Sequence, residues 1–301
     1  EHGYRLQWGD HGVAPPSRGR NHPSTEDPAN AAFLDEQIRE MLEHGAISRV
    51  HRPPRVINPL GVAPKPNGKL RMILDMRAVN EYLAPSPFTM ESLSDLKDIA
   101  QPGDFAVALD QSQGYYHLNI HKSASGFTGF QWRGRYYVYR VLPFGMRSSP
   151  RCYAKSMNLL VRHWRAQGIR MLPYLDDWLF LAPTAAAAQA IRDRVLEDCR
   201  HACLAINLEK STLTPTQRLR HLGFVVDFRR GSFEVPQDRW DKLQTRLTDT
   251  WEAAQQGRRV KARSLASMTG QLISMSRALG GVARIFTRAL YQDINAAASW
   301  G

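Results

Sequence analysis

The sequence predicts an α+β fold with an antiparallel sheet that carries acidic side chains at one end. An apolar, strand-like run over residues 105–109 ends on Asp110, and a second strand-like segment begins at residues 174–177 with Tyr-Leu-Asp-Asp. Pairing of these two segments would bring Asp110 and Asp176 together. Elsewhere, apolar residues recur every three or four positions, as expected of amphipathic helices.

The first half of the chain contains a helix followed by short strands. A lead-in rich in Pro, Gly, His and Arg reaches about residue 30 and either packs on its neighbour or stays mobile. A helix then ends near Gly45. Its apolar face carries Leu34, Ile38, Met41 and Leu42. Residues 46–82 predict short strands and turns, with a hairpin tip at Pro66-Asn67-Gly68.

Helices dominate the second half. Ser149-Pro150 suits a helix entry, and a further helix begins after Thr184. Cys199 and Cys203 lie on that helix and are expected to be buried structural cysteines, because the motif Cys-x-His-x-Cys lacks the second ligand pair of a zinc site. Near the C-terminus, two apolar helical faces flank a basic turn. The faces carry Trp240, Leu243, Leu247 and Trp251, and Leu265, Met268, Leu272 and Met275, and the turn carries Arg258, Arg259, Lys261 and Arg263.

The acidic residues suggest chemistry. Adjacent carboxylates between apolar runs are costly to place near a core unless a cation lies on them, so Asp176 and Asp177 suggest a metal-binding hairpin. An exposed acidic turn would look the same, and Asp110 upstream favours the metal site. Carboxylate and water oxygens suit magnesium or manganese and not zinc. Two such ions can activate an attacking oxygen and stabilise a leaving oxygen in phosphoryl transfer.

Five sequence blocks occur in the order found in the reverse transcriptases, and the chain resembles that family. They are Pro64–Asn80, Leu109–Tyr115, Leu142–Pro150, Tyr174–Asp177 and His221–Phe224. The resemblance covers roughly residues 28 to 230 and is closest in texture to retroelements with long terminal repeats and to DIRS-like tyrosine-recombinase retrotransposons. It implies a right-hand polymerase with a lead-in over residues 1–27, fingers and palm over residues 28–231 and a helical thumb over residues 232–301.

The resemblance implies a two-metal polymerase site. Asp110, Asp176 and Asp177 would hold two magnesium ions, for which manganese can substitute, aided by the backbone carbonyl of Gln111, with Asp177 as the more peripheral ligand. A primer 3′-hydroxyl would attack the α-phosphate of a deoxynucleoside triphosphate under direction of a template. Lys210 is similar to the family's lysine that protonates the departing pyrophosphate, and a surface lysine is the open alternative.

A nucleotide site and a primer site are implied in the same way. Lys65 and Arg71 match triphosphate-binding positions of a fingertip hairpin, where a planar guanidinium grips phosphate at two points, although Lys69 could replace Lys65 and solvated charge is the plain alternative. The remaining implied nucleotide contacts are Ser112, Gln113, Gly114, Tyr115, Phe144 and Gly145. The implied primer contacts are Leu222, Gly223 and Phe224.

Two of these residues bear on selectivity. The ring of Tyr115 would lie against the sugar and collide with a 2′-hydroxyl, which selects deoxynucleotides; an ordinary core tyrosine is the alternative. Phe144 stands where some retroviral relatives carry Gln, so apolar contact is expected in place of a hydrogen bond.

Composition agrees with a polyanionic partner. Lys and Arg number 40 against 28 Asp and Glu, a formal net charge of +12, although many basic proteins bind no nucleic acid. Three cysteines make no disulfide framework and fit a reducing compartment. No apolar stretch reaches the roughly 20 residues of a membrane span, and the start lacks a signal-peptide pattern. We therefore expect an intracellular protein, cytoplasmic or nuclear, with no membrane partner.

The expected partners are an RNA template, a DNA primer or RNA–DNA duplex and deoxynucleoside triphosphates. The two C-terminal helices and their basic turn would track the duplex backbone. The segment is expected to be part of a longer polyprotein with a downstream ribonuclease H, since no second acidic cluster follows residue 232. Two alternatives stay open: a domesticated, non-catalytic nucleic-acid-binding protein, and an RNA-directed RNA polymerase.

Overall fold

The computed structural model describes residues 2–10, 15–17, 19–65 and 68–296. Its strands are β1 (Ile47–Val50), β2 (Leu60–Pro64), β3 (Leu70–Leu74), β4 (Phe105–Asp110), β5 (Gly129–Trp132), β6 (Arg135–Tyr139), β7 (Arg170–Tyr174), β8 (Asp177–Ala182), β9 (Thr212–Thr216), β10 (Arg218–His221), β11 (Phe224–Asp227) and β12 (Ser232–Glu234). Its helices are α1 (Pro28–Glu43), α2 (Arg77–Tyr82), α3 (Leu96–Ile99), α4 (Lys122–Ser125), α5 (Ser149–Ala166), α6 (Ala185–His201), α7 (Gln237–Gln255), α8 (Ala262–Ser274), α9 (Ser276–Leu279) and α10 (Val282–Ala296).

The central sheet is antiparallel, with the strand order β7-β8-β4-β9. Its strand β8 is buried from Trp178 to Ala182 without alternation, because both faces of the sheet are covered. On one face lie α5 and α6, which contribute Tyr153, Trp164, Val195 and Cys199 to the core. On the other lie α3 and the β10–β11 hairpin, which contribute Leu96, Leu219, Phe224 and Val226.

The N-terminal part builds a second core around two smaller sheets. The hairpin β2–β3 and the sheet β1-β6-β5 enclose it together with α1. Asp27 caps α1 by accepting from the Asn30 N–H at 3.0 Å, and the chain leaves the helix through Gly45 with φ of +70°. The predicted apolar face is buried except for Leu42, which is exposed.

Residues 46–82 contain a helix, α2, where only strands and turns were expected. The carboxylate of Asp75 accepts from the backbone N–H of Arg77 at 3.1 Å and so supports the first turn. A helix of six residues is too short for an apolar period to reveal it. Pro66 and Asn67, at the predicted hairpin tip, lie outside the described residues.

The described residues of the lead-in pack on the rest of the molecule and include one short 3-10 helix, Pro23–Thr25. The Tyr4 N–H donates to the Asn119 carbonyl at 2.8 Å, and the His22 N–H donates to the Leu60 carbonyl at 2.8 Å. The lead-in therefore follows the first of its two expected courses, packing on its neighbour.

The C-terminal helices pack around a small core of Leu243, Met268 and Met275. Trp240, Leu247 and Trp251 were expected on the buried face of α7 but are exposed, Trp251 to 66%. The reason is that α7 packs on α8, and the third long helix, α10, also packs on α8, so the side of α7 that carries these three residues stays exposed in the described structure. The sequence pattern had predicted only two helices here.

The cysteines differ from one another. Cys199 is buried, and burial raises the pKa of its thiol to about 12. Cys203 is exposed, which corrects the expectation that both are buried, because α6 ends at His201 and the chain turns outward with a φ of +54° at Cys203. No helix in the described ranges combines the length and the apolar character needed to cross a bilayer.

Candidate active site

Three carboxylates meet at one end of the central sheet. Asp110 is the last residue of β4 and lies opposite Asp177, the first residue of β8. Asp176 occupies the turn between β7 and β8, and its carbonyl accepts from the Gln111 N–H at 2.9 Å. The turn passes through Leu175 at φ of +50°, whose carbonyl accepts from the Trp178 indole at 2.8 Å. Sheet register therefore brings the three acids together.

Burial disfavours the ionised form of these three carboxyl groups. It raises the pKa of Asp110 and of Asp176, and burial together with repulsion from Asp176 and Asp110 raises the pKa of Asp177 to about 6. Lys210 opposes all three shifts, with its Nζ 3.9 Å from Asp110 Oδ1. The site carries more negative charge than one exposed lysine offsets, and a divalent cation would relieve it.

The donor chemistry fits magnesium or manganese. Within the described ranges, no group of three or more Asp, Glu, His or Cys side chains is placed so that these side chains could hold a metal ion by themselves. Magnesium, however, typically binds through one or two carboxylates and completes its shell with water and substrate phosphates. Asp110, Asp176 and Asp177 fit that mode, in which the metal is shared with a nucleotide.

A cleft of about 700 Å³, the main cleft, opens beside the acids. It brings together most of the residues predicted for catalysis and nucleotide binding: Lys65, Arg71, Asp110, Gln111, Ser112, Gln113, Phe144, Gly145, Asp176 and Lys210. Asp177 does not line it. It faces an adjoining cavity of about 90 Å³ together with Asp110, Lys210 and Leu222.

The β2–β3 hairpin places its cations over the main cleft. The Lys65 N–H donates to the Lys69 carbonyl at 2.6 Å, and the Gly68 N–H donates to the Lys65 carbonyl at 2.9 Å. Lys65 and Arg71 line the cleft, and Lys69 is not among its lining residues. The geometry therefore favours Lys65 over Lys69 as the phosphate-facing lysine.

Tyr115 packs against Phe144, which lines the main cleft, but neither Tyr115 nor Gly114 is among the residues that line the cleft. Its ring centroid is 4.7 Å from that of Phe144 and 5.5 Å from that of Tyr153. Burial, and then the charge of Asp176, raises the pKa of its phenol to about 12. Phe144 is 45% exposed, which makes it an apolar contact surface for a ligand. The Tyr115 ring is thus held near Asp176 and against Phe144, a side chain that offers no hydrogen-bonding group.

The turn that carries Tyr115 is held by two side chains that the sequence patterns did not mark. The Tyr153 hydroxyl donates to Gln111 Oε1 and lies where a Cβ on Gly114 would come within 3.0 Å, which requires glycine there. His117 Nε2 accepts from the Ala205 N–H at 2.9 Å, so its proton lies on Nδ1, 3.0 Å from the Gly114 carbonyl.

Asn80 holds the Phe144-Gly145 loop. Its Nδ2 donates to the Gly145 carbonyl at 2.8 Å, and its Oδ1 accepts from the Arg147 N–H at 2.7 Å. Gly145 has φ of +93°, and a Cβ there would lie 2.8 Å from the Leu74 carbonyl. Asn80 closes the first of the five sequence blocks, which was the available signal for its importance.

Lys210 is positioned through the backbone of Asp110. The Asn207 N–H donates to the Asp110 carbonyl at 2.8 Å, and the Asp110 N–H donates to Ser211 Oγ at 3.0 Å. The Asn207 side chain accepts from the Lys210 N–H at 3.2 Å. The segment before β9 therefore carries the lysine to the edge of both cavities.

The turn between β10 and β11 reaches the acids from the other side. Leu222 and Gly223 have φ of +45° and +80°, as in a two-residue hairpin turn of type I′. Leu222 lines the cavity that also contains Asp110 and Asp177. Phe224 is buried beneath the turn. Of the three implied primer contacts, Leu222 therefore lies beside the carboxylates, whereas Gly223 and Phe224 are not among the residues that line this cavity.

Known proteins are similar to this chain in sequence and in fold. Residues 63–226, more than half of the chain, match the family described as reverse transcriptase (RNA-dependent DNA polymerase). Protein P of duck hepatitis B virus (strain China) is 27% identical over 157 residues, 51% of this chain and 19% of that protein. The polyprotein of transposon Tf2-3 of Schizosaccharomyces pombe is 24% identical over 227 residues, 74% of this chain and 16% of that protein.

Solved structures show the same architecture. The foamy viral protease-reverse transcriptase in complex with an RNA/DNA hybrid aligns with 98% of this chain and 37% of that chain at a TM-score of 0.78 and 21% identity. The same enzyme with double-stranded DNA, in a version designated dRH, aligns with 96% of this chain and 47% of that chain at 0.78 and 23% identity. The predicted α+β right-hand polymerase fold is confirmed.

The chain spans under a fifth of the length of the curated relatives named above. Its matched segment contains the acids, the main cleft and the β10–β11 turn as far as Val226. From the extent of that match, this chain belongs to the reverse transcriptase family.

Proposed function

We propose that this chain is an RNA-directed DNA polymerase that copies the RNA of a retroelement by two-metal-ion catalysis. The observation that carries the proposal is the convergence of Asp110, Asp176 and Asp177, with raised carboxyl pKa values, beside a cleft of about 700 Å³ that Lys65 and Arg71 also line. A cleft lined by both carboxylates and phosphate-binding cations matches the charge distribution of a nucleoside triphosphate with its metals.

Different residues of the chain would bind the metals on the triphosphate side and on the primer side during phosphoryl transfer. Two magnesium or manganese ions, when bound, would activate the primer hydroxyl and offset charge on the leaving oxygens. Asp110 and Asp176 line the main cleft and would hold the triphosphate side, whereas Asp177 faces the cavity that includes Leu222 and would lie nearer the primer. The Gln111 carbonyl would add a ligand.

The remaining groups bind and protonate. Arg71 and Lys65 would grip the β- and γ-phosphates from the hairpin. Lys210, whose ammonium lies 3.9 Å from Asp110, would supply a proton to the departing pyrophosphate. Leu222, Gly223 and Phe224 would hold the primer end against the acids.

The nucleotide pocket favours deoxyribose. Tyr115 is fixed by Tyr153 and Phe144 at the edge of the acids, where its ring would exclude a 2′-hydroxyl. Ser112, Gln113 and Gly114 form the turn under the sugar and triphosphate. Because an RNA polymerase must admit that hydroxyl, this packing argues against the RNA-directed RNA polymerase alternative.

The wider setting is also a proposal. The bound nucleic acids would be an RNA template with a DNA primer, with fingers and palm formed by residues 28–231 and a thumb by residues 232–301. Two of the relatives named by comparison, a viral P protein and a transposon polyprotein, are far longer than this chain, which supports a place in a longer polyprotein. A downstream ribonuclease H is part of the same proposal. We propose an intracellular site of action, cytoplasmic or nuclear.

The test is extension of an oligo(dT) primer on poly(rA) with dTTP and either metal. Wild type should extend the primer, and the double variant Asp176→Asn, Asp177→Asn should not. A matched control, Asp241→Asn, Asp249→Asn on the exposed side of α7, should extend as wild type does. Tight primer–template binding by wild type without extension would favour the non-catalytic alternative.

A further inference from the structure

One side chain from the C-terminal helices, Arg239 of α7, holds the β10–β11 turn. Arg239, in the first turn of α7, donates from Nη1 to the Gly223 carbonyl at 2.6 Å. Its guanidinium carbon lies 5.3 Å from the ring centroid of Phe224, and the side chain is partly buried. A guanidinium that bonds to the turn and stacks on its aromatic residue restricts both residues at once.

The same arginine is tied to both helices of the C-terminal layer. Its Nη2 donates to Ser274 Oγ at 2.7 Å, at the end of α8, and its own carbonyl accepts from Gln271 Nε2 at 3.1 Å. Arg239 therefore joins three elements: the turn, α7 and α8. A displacement of the two helices would move the donors that hold the Gly223 carbonyl.

The turn has little tolerance for such movement. Gly223 has φ of +80°, and a Cβ on it would lie 3.1 Å from Arg239 Nη1, so glycine and arginine fit against each other. On the other side of the turn, Leu222 reaches the cavity that contains Asp110 and Asp177. Arg239 and the two turn residues therefore form one continuous connection between the helices and the cavity of the carboxylates.

We propose that Arg239 is a positioning residue for the primer 3′ end, which transmits the hold of α7 and α8 on a bound duplex to the turn beside the carboxylates. This inference rests on the proposed function, because it takes Leu222, Gly223 and Phe224 as the primer contacts. Arg239 touches neither the acids nor the main cleft among the described residues, so its effect passes through the turn.

The chain offers a matched control. Arg220 on β10 makes an ion pair with Asp238 on α7, with N–O distances of 2.9 and 3.2 Å. It links the same strand to the start of the same helix and does not bond to the turn. Because Arg220 itself lines the small cavity beside Asp110 and Asp177, the pair is broken from the helix side with Asp238→Asn. Loss of a general tether between hairpin and helix would show equally in Asp238→Asn, whereas loss of turn positioning would show only at Arg239.

The experiment measures single-turnover addition of one nucleotide to a bound primer–template at saturating dTTP. Misplacement of the 3′-hydroxyl by Arg239→Ala should slow addition by about tenfold to a hundredfold. The apparent Kd for dTTP should stay within about twofold of wild type, since the nucleotide site is untouched. Arg239→Lys should recover part of the rate, because it keeps the charge and loses the second hydrogen bond. Asp238→Asn should match wild type.

A second measurement needs no chemistry. With 2-aminopurine as the 3′-terminal base of the primer, its fluorescence in the complex should be higher for Arg239→Ala than for wild type and Asp238→Asn, since the terminal base is less firmly held. Equal fluorescence in all three complexes would overturn the proposal, as would equal rates. If wild type binds the primer–template without extending it, the proposed function fails and the fluorescence comparison still decides on Arg239. If Arg239→Ala unfolds, Arg239→Lys takes its place in both measurements.

Discussion

Asp110 lies directly opposite Asp177 in the antiparallel pairing of β4 with β8, at the point where both strands leave the core. The pairing forces two carboxylates into one half-buried site, and Asp176 in the adjoining turn adds a third. Their raised pKa values record the electrostatic cost of that arrangement without metal. Ionisation of the three carboxyl groups is therefore unfavourable until a cation binds.

Asp177→Asn should stabilise the metal-free protein. The folded-state pKa of Asp177 is raised to about 6, so its ionised form is disfavoured on folding, and the penalty is present at neutral pH and disappears as pH falls below the unfolded value near 4. We expect Tm at pH 7.5 in EDTA to rise by about 2–4 °C and the difference from wild type to vanish near pH 4. Magnesium should raise the Tm of wild type more than that of the variant. An equal Tm for both proteins in EDTA at pH 7.5 would contradict the account, and exposed Asp249→Asn is the control.

Tyr115→Ala should admit ribonucleotides. Removing the ring that packs on Phe144 and Tyr153 opens space beside the acids. The ratio of kcat/KM for dTTP to that for UTP should fall by at least about tenfold, while Tyr115→Phe, which keeps the ring, should stay near wild type. An unchanged ratio in Tyr115→Ala would mean that the sugar is discriminated elsewhere.

Arg71→Ala should weaken nucleotide binding more than Lys69→Ala does. Arg71 lines the main cleft, and Lys69 is not among the cleft's lining residues. Loss of a charge-assisted contact to phosphate should raise KM for dTTP by about tenfold or more. Lys65→Ala should show the same direction. Steady-state kinetics with all three variants test the assignment, and a larger effect at Lys69 than at Lys65 would show that the turn shifts when nucleotide binds.

His221 should make the fold sensitive to acid. It is buried at the end of β10, its Nε2 has no hydrogen-bond partner among the described residues, and burial lowers its pKa to about 4. The neutral ring is the folded form, so its stabilising effect is complete above the unfolded pKa near 6.5 and is lost as pH falls towards 4, a loss of about 3 kcal/mol. Urea titrations at pH 7.5 and 4.5 should show a smaller drop for His221→Gln than for wild type. The exposed His51→Gln should behave as wild type, and a drop in His221→Gln as large as that of wild type would refute the role of this ring.

The sequence predicted the central sheet and its acids because the signals there are local. Strand β4 ends on Asp110, and the β7–β8 turn contains Asp176, so each strand and its carboxylate lie within one short segment. The contacts that hold the site in place are not local. Asn80 and Gly145 are 65 positions apart, and Gln111 and Tyr153 are 42 apart, so no periodicity relates them.

The C-terminal helices show a second limit. The spacing of apolar residues in α7 shows which of them share a face, but it does not show which element covers that face. Trp251 is left exposed because α10 packs on α8. Helix α10 exposes Ile285 and buries Ile294, so its apolar residues alone do not show which side of the helix is covered. Packing partners, and not propensity, decided these outcomes.

The central claim is templated DNA synthesis by the carboxylates of β4 and the β7–β8 turn. It is tested most directly by copying a heteropolymeric RNA from a DNA primer with all four deoxynucleotides and sequencing the product. Wild type is predicted to yield DNA complementary to the template, and Asp110→Asn to yield none while binding the same primer–template. A product that ignores the template sequence, or equal synthesis by Asp110→Asn, would contradict the account.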